Sequence, residues 1–268
     1  MLASFLLYLR PSHPAPLGRH LGRSLHGLFI NLLADANAEL ADRLHNPMPF
    51  KPFTVSTLMG AFSHNRGSKT ATPDRLYRVR YTVLSEQVFA ALGRALLERH
   101  LYRRSVEIDG QSFQIERIGV DPRDTHGWGE LSSYHDLFRR NGQAREIRLR
   151  FHSPTAFKTG DVSLLFPLPR SVFGSLQRTW NAFAGLPLMD DLTEFVETQV
   201  TASQHELRTR VIHTGKYPLL GFVGTCSYRI LDKEPQRVAE LNILADFAFY
   251  AGVGMKTTQG MGQTRRER

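Results

Sequence analysis

The sequence is poor in cysteine and lysine and has no long apolar run, and each shortage excludes a class of protein. Its 268 residues include one cysteine, Cys226. A lone cysteine excludes an internal disulfide framework and a cysteine-based zinc site, and it is typical of a reducing cytoplasm. The apolar segment MLASFLLYLR meets Pro11 at once. It is too short to span a bilayer or to form a signal peptide, and it predicts a buried first strand.

Acidic residues are also in deficit. Lysine and arginine number 34 against 25 acidic residues, which gives a net charge of +9 and a pI near 10.0. This charge indicates a polyanionic partner, a membrane surface or only a well-solvated basic surface. Because 28 of the 34 basic residues are arginine, nucleic acid is favoured: guanidinium groups bind phosphate through two hydrogen bonds and stack on bases. GC-rich coding would also raise the arginine content.

The first half of the chain predicts the order β-α-β-β-α-β. After the first strand come a helix over 21–44 with apolar residues at helical spacing, ended by Pro47 and Pro49, and a strand over 53–58. A loop over 63–74 leads to a strand over 77–83, whose polar face carries Arg78 and Arg80. A helix over 86–101, capped by Ser85, and a strand over 113–120 complete the order, which is that of the split ferredoxin-like unit.

The second half nearly repeats this order after a loop at 121–130 that is rich in Asp, Gly and Pro. Strands are predicted at 146–151, 206–213 and 219–231, and helices at about 170–183 and 236–250. Arg148 and Arg150 lie on the polar face of the first of these strands. The sequence therefore predicts an α+β protein of two tandem ferredoxin-like (RRM-like) domains, residues 1–123 and 124–268. Each has an antiparallel sheet with helices on one face.

A glycine-rich segment, AGVGMKTTQGMGQTRRER, closes the chain. Two glycine pairs surround a polar insert: Gly252 and Gly254, then Lys256, Thr257, Thr258 and Gln259, then Gly260 and Gly262. The spacing fits neither the dinucleotide fingerprint nor the P-loop. Exposed N–H groups, the lysine and the hydroxyls predict contacts with phosphate. The simpler alternative is a glycine helix stop followed by a tail.

The stretch LADFAFYAGVGMKTTQGMGQTR resembles the C-terminal glycine-rich signature of the CRISPR-associated endoribonucleases that mature crRNA, the sixth of the Cas families within the RAMP superfamily. Four further stretches match in the family's order: LHNPMPFKPFTVS (44–56), FHSPTAF (151–157), FPLPRSVFGSLQRTWN (166–181) and GFVG (221–224). The resemblance implies two ferredoxin-like domains that bind a CRISPR repeat transcript and cut it once without a metal ion.

Metal-free RNA cleavage needs a base for the 2′-hydroxyl, a cation near the phosphorane and an acid for the 5′-oxygen. The resemblance carries the family's catalytic histidine onto His45 and its lysine onto Lys51; a loop histidine alone is more often a solvated turn residue. His26 is the third candidate. It lies one helical turn before Ile30, where some relatives have a tyrosine, and it either acts as the acid or packs under the loop.

Other residues give weaker signals. Arg78, Arg80, Arg148 and Arg150 are candidate RNA contacts or merely solvated side chains. The base-stacking motif of RRM domains is not evident, which favours recognition of the backbone and of hairpin shape. The acidic pairs Asp121/Asp124 and Asp190/Asp191 are ordinary turn and cap residues, so no metal or other cofactor is expected.

The sequence thus predicts a cytoplasmic, metal-independent endoribonuclease that leaves 2′,3′-cyclic phosphate and 5′-hydroxyl ends. His45 acts as base or acid, Lys51 stabilises phosphate charge, and His26 or water completes the proton transfer. The expected partners are CRISPR repeat RNA and subunits of an effector complex, with no membrane, for a monomer or homodimer. Two alternatives are a non-catalytic RAMP-type subunit that holds guide RNA and a general RNA-binding module outside CRISPR biology.

Overall fold

The protein consists of two compact units. The computed structural model describes residues 1–65, 68–98, 104–140, 142–188, 191–213 and 218–267. The first unit is built on Met1–Leu131 and also contains the distant segment Thr258–Gly260. The second unit is built on Ser132–Ile212 and on most of the chain after residue 217 apart from that segment. Within the described ranges, no helix has both the length and the apolar character needed to cross a bilayer.

The first unit has one main antiparallel sheet. In chain order its elements are β1 (Leu2–Pro11), β2 (Ala15–Leu17), α1 (Gly22–Ala34), α2 (Ala38–His45), β3 (Phe53–Val55), β4 (Ser63–Asn65), β5 (Ser68–Ala71), β6 (Tyr77–Val83), α3 (Glu86–Glu98), β7 (Ser105–Ile108), β8 (Gln111–Gly119) and β9 (Glu130–Ser132). The strand order is β3-β6-β1-β8-β7, with β9 also pairing with β1. Strands β3, β6, β1 and β8 have the order of the ferredoxin-like fold, in which the first and third strands are central.

Alternate residues of β1 pack with the helices in the core of this unit. Phe5 and Leu7 belong to a buried cluster that includes Phe29 of α1 and Phe53 of β3. The Phe29 and Phe53 rings stack with their centroids 4.2 Å apart. Each such aromatic side chain removes a large apolar area from water, so this packing fixes α1 against the start of β3.

Two sequence predictions need correction in this unit, and a third is described only in part. The single helix predicted over 21–44 is wrong: α1 ends at Ala34 and α2 begins at Ala38, because the Asn37 side chain accepts a hydrogen bond from the Leu40 amide at 2.9 Å and caps a new helix. The predicted loop over 63–74 contains β4 and β5, which form a small sheet with β2. The predicted helix over 86–101 is described as far as Glu98, and 99–101 lie outside the described residues.

The second unit repeats the strand order. Its elements are α4 (Tyr134–Arg140), β10 (Glu146–Thr155), β11 (Phe157–Thr159), β12 (Val162–Leu164), α5 (Pro169–Phe183), α6 (Leu192–Gln199), β13 (Val200–His213), β14 (Pro218–Ile230), α7 (Pro235–Ala251), a 3-10 turn (Thr257–Gln259) and β15 (Thr264–Glu267). The sheet order is β13-β14-β10-β15, so the first and third strands are again central. The core includes the fully buried Trp180, whose ring meets Phe247 edge to face at 5.2 Å.

The fourth strand of the sheet in this unit was not predicted from the sequence. In place of a tail after the glycines, β15 pairs antiparallel with β10, from Thr264 opposite Phe151 to Glu267 opposite Arg148. The predicted fold of two tandem ferredoxin-like domains is confirmed. The predicted domain ranges 1–123 and 124–268 stay a prediction.

Candidate functional site

His45 is the last residue of α2, and its side chain is exposed. The next residue, Asn46, closes the helix: its amide and its side-chain Nδ2 both donate to the Asp42 carbonyl, at 3.2 and 3.1 Å. Pro47 then prevents the helix from continuing. The imidazole of His45 therefore projects into solvent from a helix end with a defined backbone.

Lys51 ties down the backbone on both sides of His45. Its Nζ donates to the carbonyl oxygens of Leu44 at 2.5 Å and of Asn46 at 2.6 Å. A cation at the C-terminal end of a helix is favoured because unpaired carbonyls leave a partial negative charge there. Burial lowers the pKa of Lys51. The sequence predicted a role in stabilising phosphate charge for this residue and missed its bonds to the helix end.

His26 lies on α1 and is half-buried beside Phe53, with ring centroids 5.3 Å apart. Its Nδ1 lies 3.3 Å from the carbonyl oxygen of Thr258. Burial lowers the pKa of His26, the Thr258 hydrogen bond partly opposes this, and the positive charges of Lys51 and His45 lower the pKa further. Lys51 binds the carbonyls on both sides of His45, and the ring of His26 packs on Phe53, two residues after Lys51. The structure thus brings together the three predicted catalytic residues within the first unit.

Position 30, where the sequence analysis noted a tyrosine in some relatives, is buried in this protein. Ile30 is only 8% exposed and belongs to the core. A residue there therefore faces the interior in this protein, whereas His26, one turn earlier, reaches the edge of the core.

The segment Thr258–Gly260 belongs to this same site. The Gly260 amide donates to the Val55 carbonyl at 3.0 Å. A Cβ on Gly22, at the start of α1, would lie 2.2 Å from the Gln259 carbonyl oxygen. Gly260 has a φ of +92°, which side chains rarely tolerate. The glycines therefore allow the segment to lie directly against α1 and the end of β3.

The other glycines of the terminal segment serve the second unit in the same way. The amides of Gly252 and Gly262 donate to backbone carbonyls at 3.0 and 3.1 Å. A Cβ on Gly254 or on Gly262 would lie 2.4 or 2.3 Å from a backbone oxygen. The prediction that exposed glycine N–H groups hold phosphates is therefore wrong for Gly252, Gly260 and Gly262, whose amides are used within the protein.

The polar insert of the segment is more accessible. Lys256 is exposed, and Thr257, Thr258 and Gln259 are half-buried in the 3-10 turn. Their contact with RNA stays a prediction.

The arginines of β6 differ from the expected pattern. Arg78 is half-buried, whereas Arg80 is 2% exposed; its Nε donates to the Ser4 hydroxyl at 2.8 Å, and its guanidinium lies 5.0 Å from the centre of the Trp128 ring. The loop after β8 covers this face, since the Ser4 hydroxyl also donates to the Trp128 carbonyl at 2.5 Å. The exposure predicted for Arg80 is wrong, and its burial removes it from the candidate RNA contacts.

The arginines of β10 share one carboxylate. The Nε atoms of Arg148 and Arg150 both donate to Glu267 of β15, the former at 2.8 Å. These two cations hold the pKa of Glu267 below its usual value. Both side chains are still more than 40% exposed, and their contact with RNA stays a prediction.

The acidic pairs behave as turn residues where the structure describes them. Asp121 pairs with Arg123 at 2.7 Å and Asp191 with Arg237 at 2.8 Å, while Asp190 lies outside the described residues. Across the described ranges, no group of three or more His, Cys, Asp or Glu side chains is arranged to hold a metal ion.

Comparison with known proteins gives the site its context. Residues 1–139 match the family described as CRISPR Cas6 N-terminal domain, and residues 149–264 match the family described as CRISPR-associated endoribonuclease Cas6. A relative named CRISPR-associated endoribonuclease Cas6, from Streptococcus thermophilus, is 22% identical over 262 residues, which cover 97% of this chain and 96% of the relative.

Solved structures agree over the whole chain. A Cas6 product complex is 29% identical, covers 100% of both chains and superposes with a TM-score of 0.83. A structure of Thermus thermophilus Cas6 is 28% identical, covers 100% of this chain and 98% of its own, and gives a TM-score of 0.75. An RNA-binding RAMP protein at 14% identity and a TM-score of 0.63 shares the fold.

Proposed function

Since the chain belongs to the Cas6 family of CRISPR-associated endoribonucleases, we propose that it cuts precursor crRNA once in each CRISPR repeat, by attack of a 2′-hydroxyl and without a metal ion. The observation that carries this mechanism is the cluster of His26, His45 and Lys51 in the first unit. Two imidazoles and an ammonium group are sufficient to supply the base, the acid and the cation that the reaction needs.

His26 is the general base. Burial and the neighbouring positive charges lower its pKa, so the ring is neutral near pH 7 and can take a proton. With Nδ1 facing the Thr258 carbonyl, Nε2 is the nitrogen that accepts the proton of the 2′-hydroxyl. The 2′-oxygen then attacks the adjacent phosphorus, and the bond from phosphorus to the 5′-oxygen breaks.

His45 is the general acid. Its exposed ring, on a helix end that Lys51 and Asn46 hold in place, donates a proton to the departing 5′-oxygen. The products are a 2′,3′-cyclic phosphate and a 5′-hydroxyl, and each histidine ends in the protonation state opposite to the one in which it began.

Lys51 serves both the protein and the reaction. An ammonium group has three N–H bonds, and two of them bind the carbonyls beside His45. The third bond and the positive charge stabilise the charge that develops on the phosphorane oxygens.

RNA is held through charge and shape. The net charge of +9 favours a phosphate backbone, and the contacts that we assign to it are Lys256, Thr257, Thr258 and Gln259, of which Thr258 touches His26. The similarity to a Cas6 product complex over both full chains supports a repeat RNA as the ligand.

The test is to map the ends produced from a repeat RNA in the presence of EDTA. We expect one cut per repeat, with 2′,3′-cyclic phosphate and 5′-hydroxyl ends, and no cut when the nucleotide before the scissile phosphate lacks its 2′-hydroxyl. Cleavage of the 2′-deoxy substrate, or a need for divalent ions, would contradict the mechanism. A scrambled hairpin of equal length at fixed salt is the control, because charge alone gives salt-dependent binding to any RNA.

A further inference from the structure

We propose that the Thr258 backbone carbonyl is a positioning group that fixes the tautomer of His26, so that the glycine-rich segment sets up the base rather than cradling phosphate. This inference rests on the proposed function, because it assigns a catalytic use to the contact. The contact exists whether or not His26 is the base, so the tautomer of His26 and its role in cleavage are tested by separate measurements.

The contact with Thr258 determines which nitrogen of His26 carries the hydrogen. A carbonyl oxygen can only accept a hydrogen bond, so Nδ1 of His26, at 3.3 Å from it, must carry the hydrogen. In a neutral ring the other nitrogen, Nε2, then holds the lone pair. Without this contact either nitrogen can carry the hydrogen. The ring with hydrogen on Nε2 cannot take a proton through that atom.

The two residues after Thr258 hold its carbonyl in place. Gln259 follows Thr258 and lies against Gly22, where a Cβ would stand 2.2 Å from the Gln259 oxygen and 2.8 Å from its carbonyl carbon. Gly260 donates to Val55 at 3.0 Å from a backbone with φ of +92°. Two successive residues are thus fixed against α1 and β3, and the carbonyl just before them has little freedom to turn away.

Two positive charges also act on the ring of His26. Lys51 and His45 both lower the pKa of His26, as does burial, whereas the bond to Thr258 raises it. The same contact therefore orients the ring and preserves part of its basicity.

The chain offers a matched pair of variants on α1. In Gly22→Ala the added methyl group collides with the backbone of Gln259 and with the His20 side chain. In Gly27→Ala it meets no atom within 4 Å, although this substitution is closer to His26 in sequence. The first variant displaces the segment and the second does not.

The experiment reads the tautomer directly by nitrogen-15 NMR of histidine-labelled protein, with the His26 signals identified by their loss in His26→Asn. Above the pKa of the ring, we expect wild type and Gly27→Ala to show a protonated Nδ1 and an unprotonated Nε2. We expect Gly22→Ala to lose this signature and to cut repeat RNA roughly 10²-fold more slowly, the cost of a misplaced reacting group.

A protonated Nε2 in the wild type would overturn the proposal, and so would a mixture of the two forms. That spectrum decides the question even where Gly22→Ala fails to fold. A folded Gly22→Ala with the wild-type signature and rate would also overturn it. If the tautomer is as expected but His26→Asn cuts at the wild-type rate, the positioning stands and the base assignment in the proposed function fails.

Discussion

Replacing Lys51 by methionine, followed by a measurement of the local stability of α2, tests the structural role of this lysine apart from its role in catalysis. Methionine keeps the apolar stem but removes the two hydrogen bonds to the Leu44 and Asn46 carbonyls. Hydrogen bonds that involve a charged group contribute about 1.5–3 kcal/mol each. Lys51 is only half-buried, and solvent screening reduces such contributions towards about 0.2–1 kcal/mol. We therefore expect the end of α2 to lose about 1–2 kcal/mol of local stability, by the combination of these values.

Hydrogen exchange of the peptide covering α2 measures this loss locally. A loss of 1–2 kcal/mol corresponds to exchange that is roughly 5–30 times faster, and the amide of Asn46, which bonds to Asp42 at 3.2 Å, reports it most directly. Lys233→Met, at an exposed lysine of the second unit, is the control and should leave α2 unchanged. Unchanged protection of α2 in Lys51→Met would refute the positioning of His45 by Lys51 and leave only its charge.

Three further outcomes are expected. Gly27→Ala should raise the free energy of unfolding by about 0.5–1 kcal/mol, because helix interiors favour alanine and its Cβ meets no neighbour; a loss of stability in denaturant titration would contradict this. Trp180→Ala should lower the free energy of unfolding by about 3–5 kcal/mol, because the ring is fully buried and its Nε1 donates to the Leu186 carbonyl at 2.7 Å. A loss below about 1 kcal/mol would show that the core is misassigned. Because the pKa of His26 is lowered on folding, its neutral form stabilises the protein above the unfolded value of 6.5, and this contribution is lost as the pH falls through the folded pKa. Stability of His26→Asn should fall less steeply between about pH 7 and 5 than that of wild type, and parallel curves would contradict the lowered pKa.

The sequence predicted the main strands and helices of the two ferredoxin-like units because apolar periodicity reports which faces are buried. It could not reveal the break between α1 and α2, since apolar residues continue at helical spacing through Ala36 and Leu40 while the Asn37 cap interrupts the backbone. It also could not reveal β15, whose residues are mostly charged. That strand forms because β10 presents an edge to it, which is a property of the fold rather than of the segment.

Alternation misled the interpretation of β6 for a similar reason. Polar residues at every second position predict a free face, but the loop containing Trp128 covers it and supplies partners to Ser4 and Arg80. A partner 48 residues away leaves no mark on the pattern of the strand itself.

In the candidate site, too, some features were predicted from the sequence and others are visible only in the structure. His45 and Lys51 came from the resemblance to a family, because a histidine and a lysine six positions apart in a proline-rich turn carry no catalytic signal alone. The contact of His26 with Thr258 spans 232 positions and uses a backbone oxygen, a group that every residue has. The glycines predicted a close approach to another group, and in the structure they lie against the backbone of the protein itself.

The central claim is that an imidazole at the end of α2 takes part in the cleavage chemistry. The most direct measurement is the single-turnover rate of repeat RNA cleavage in chelator for wild type, His45→Ala and His13→Ala, the last an exposed histidine of the first unit. We predict a rate about 10²–10⁴ times lower for His45→Ala, a barrier higher by about 3–5 kcal/mol, with RNA affinity retained and His13→Ala unaffected. Cleavage by His45→Ala at the wild-type rate would contradict the account.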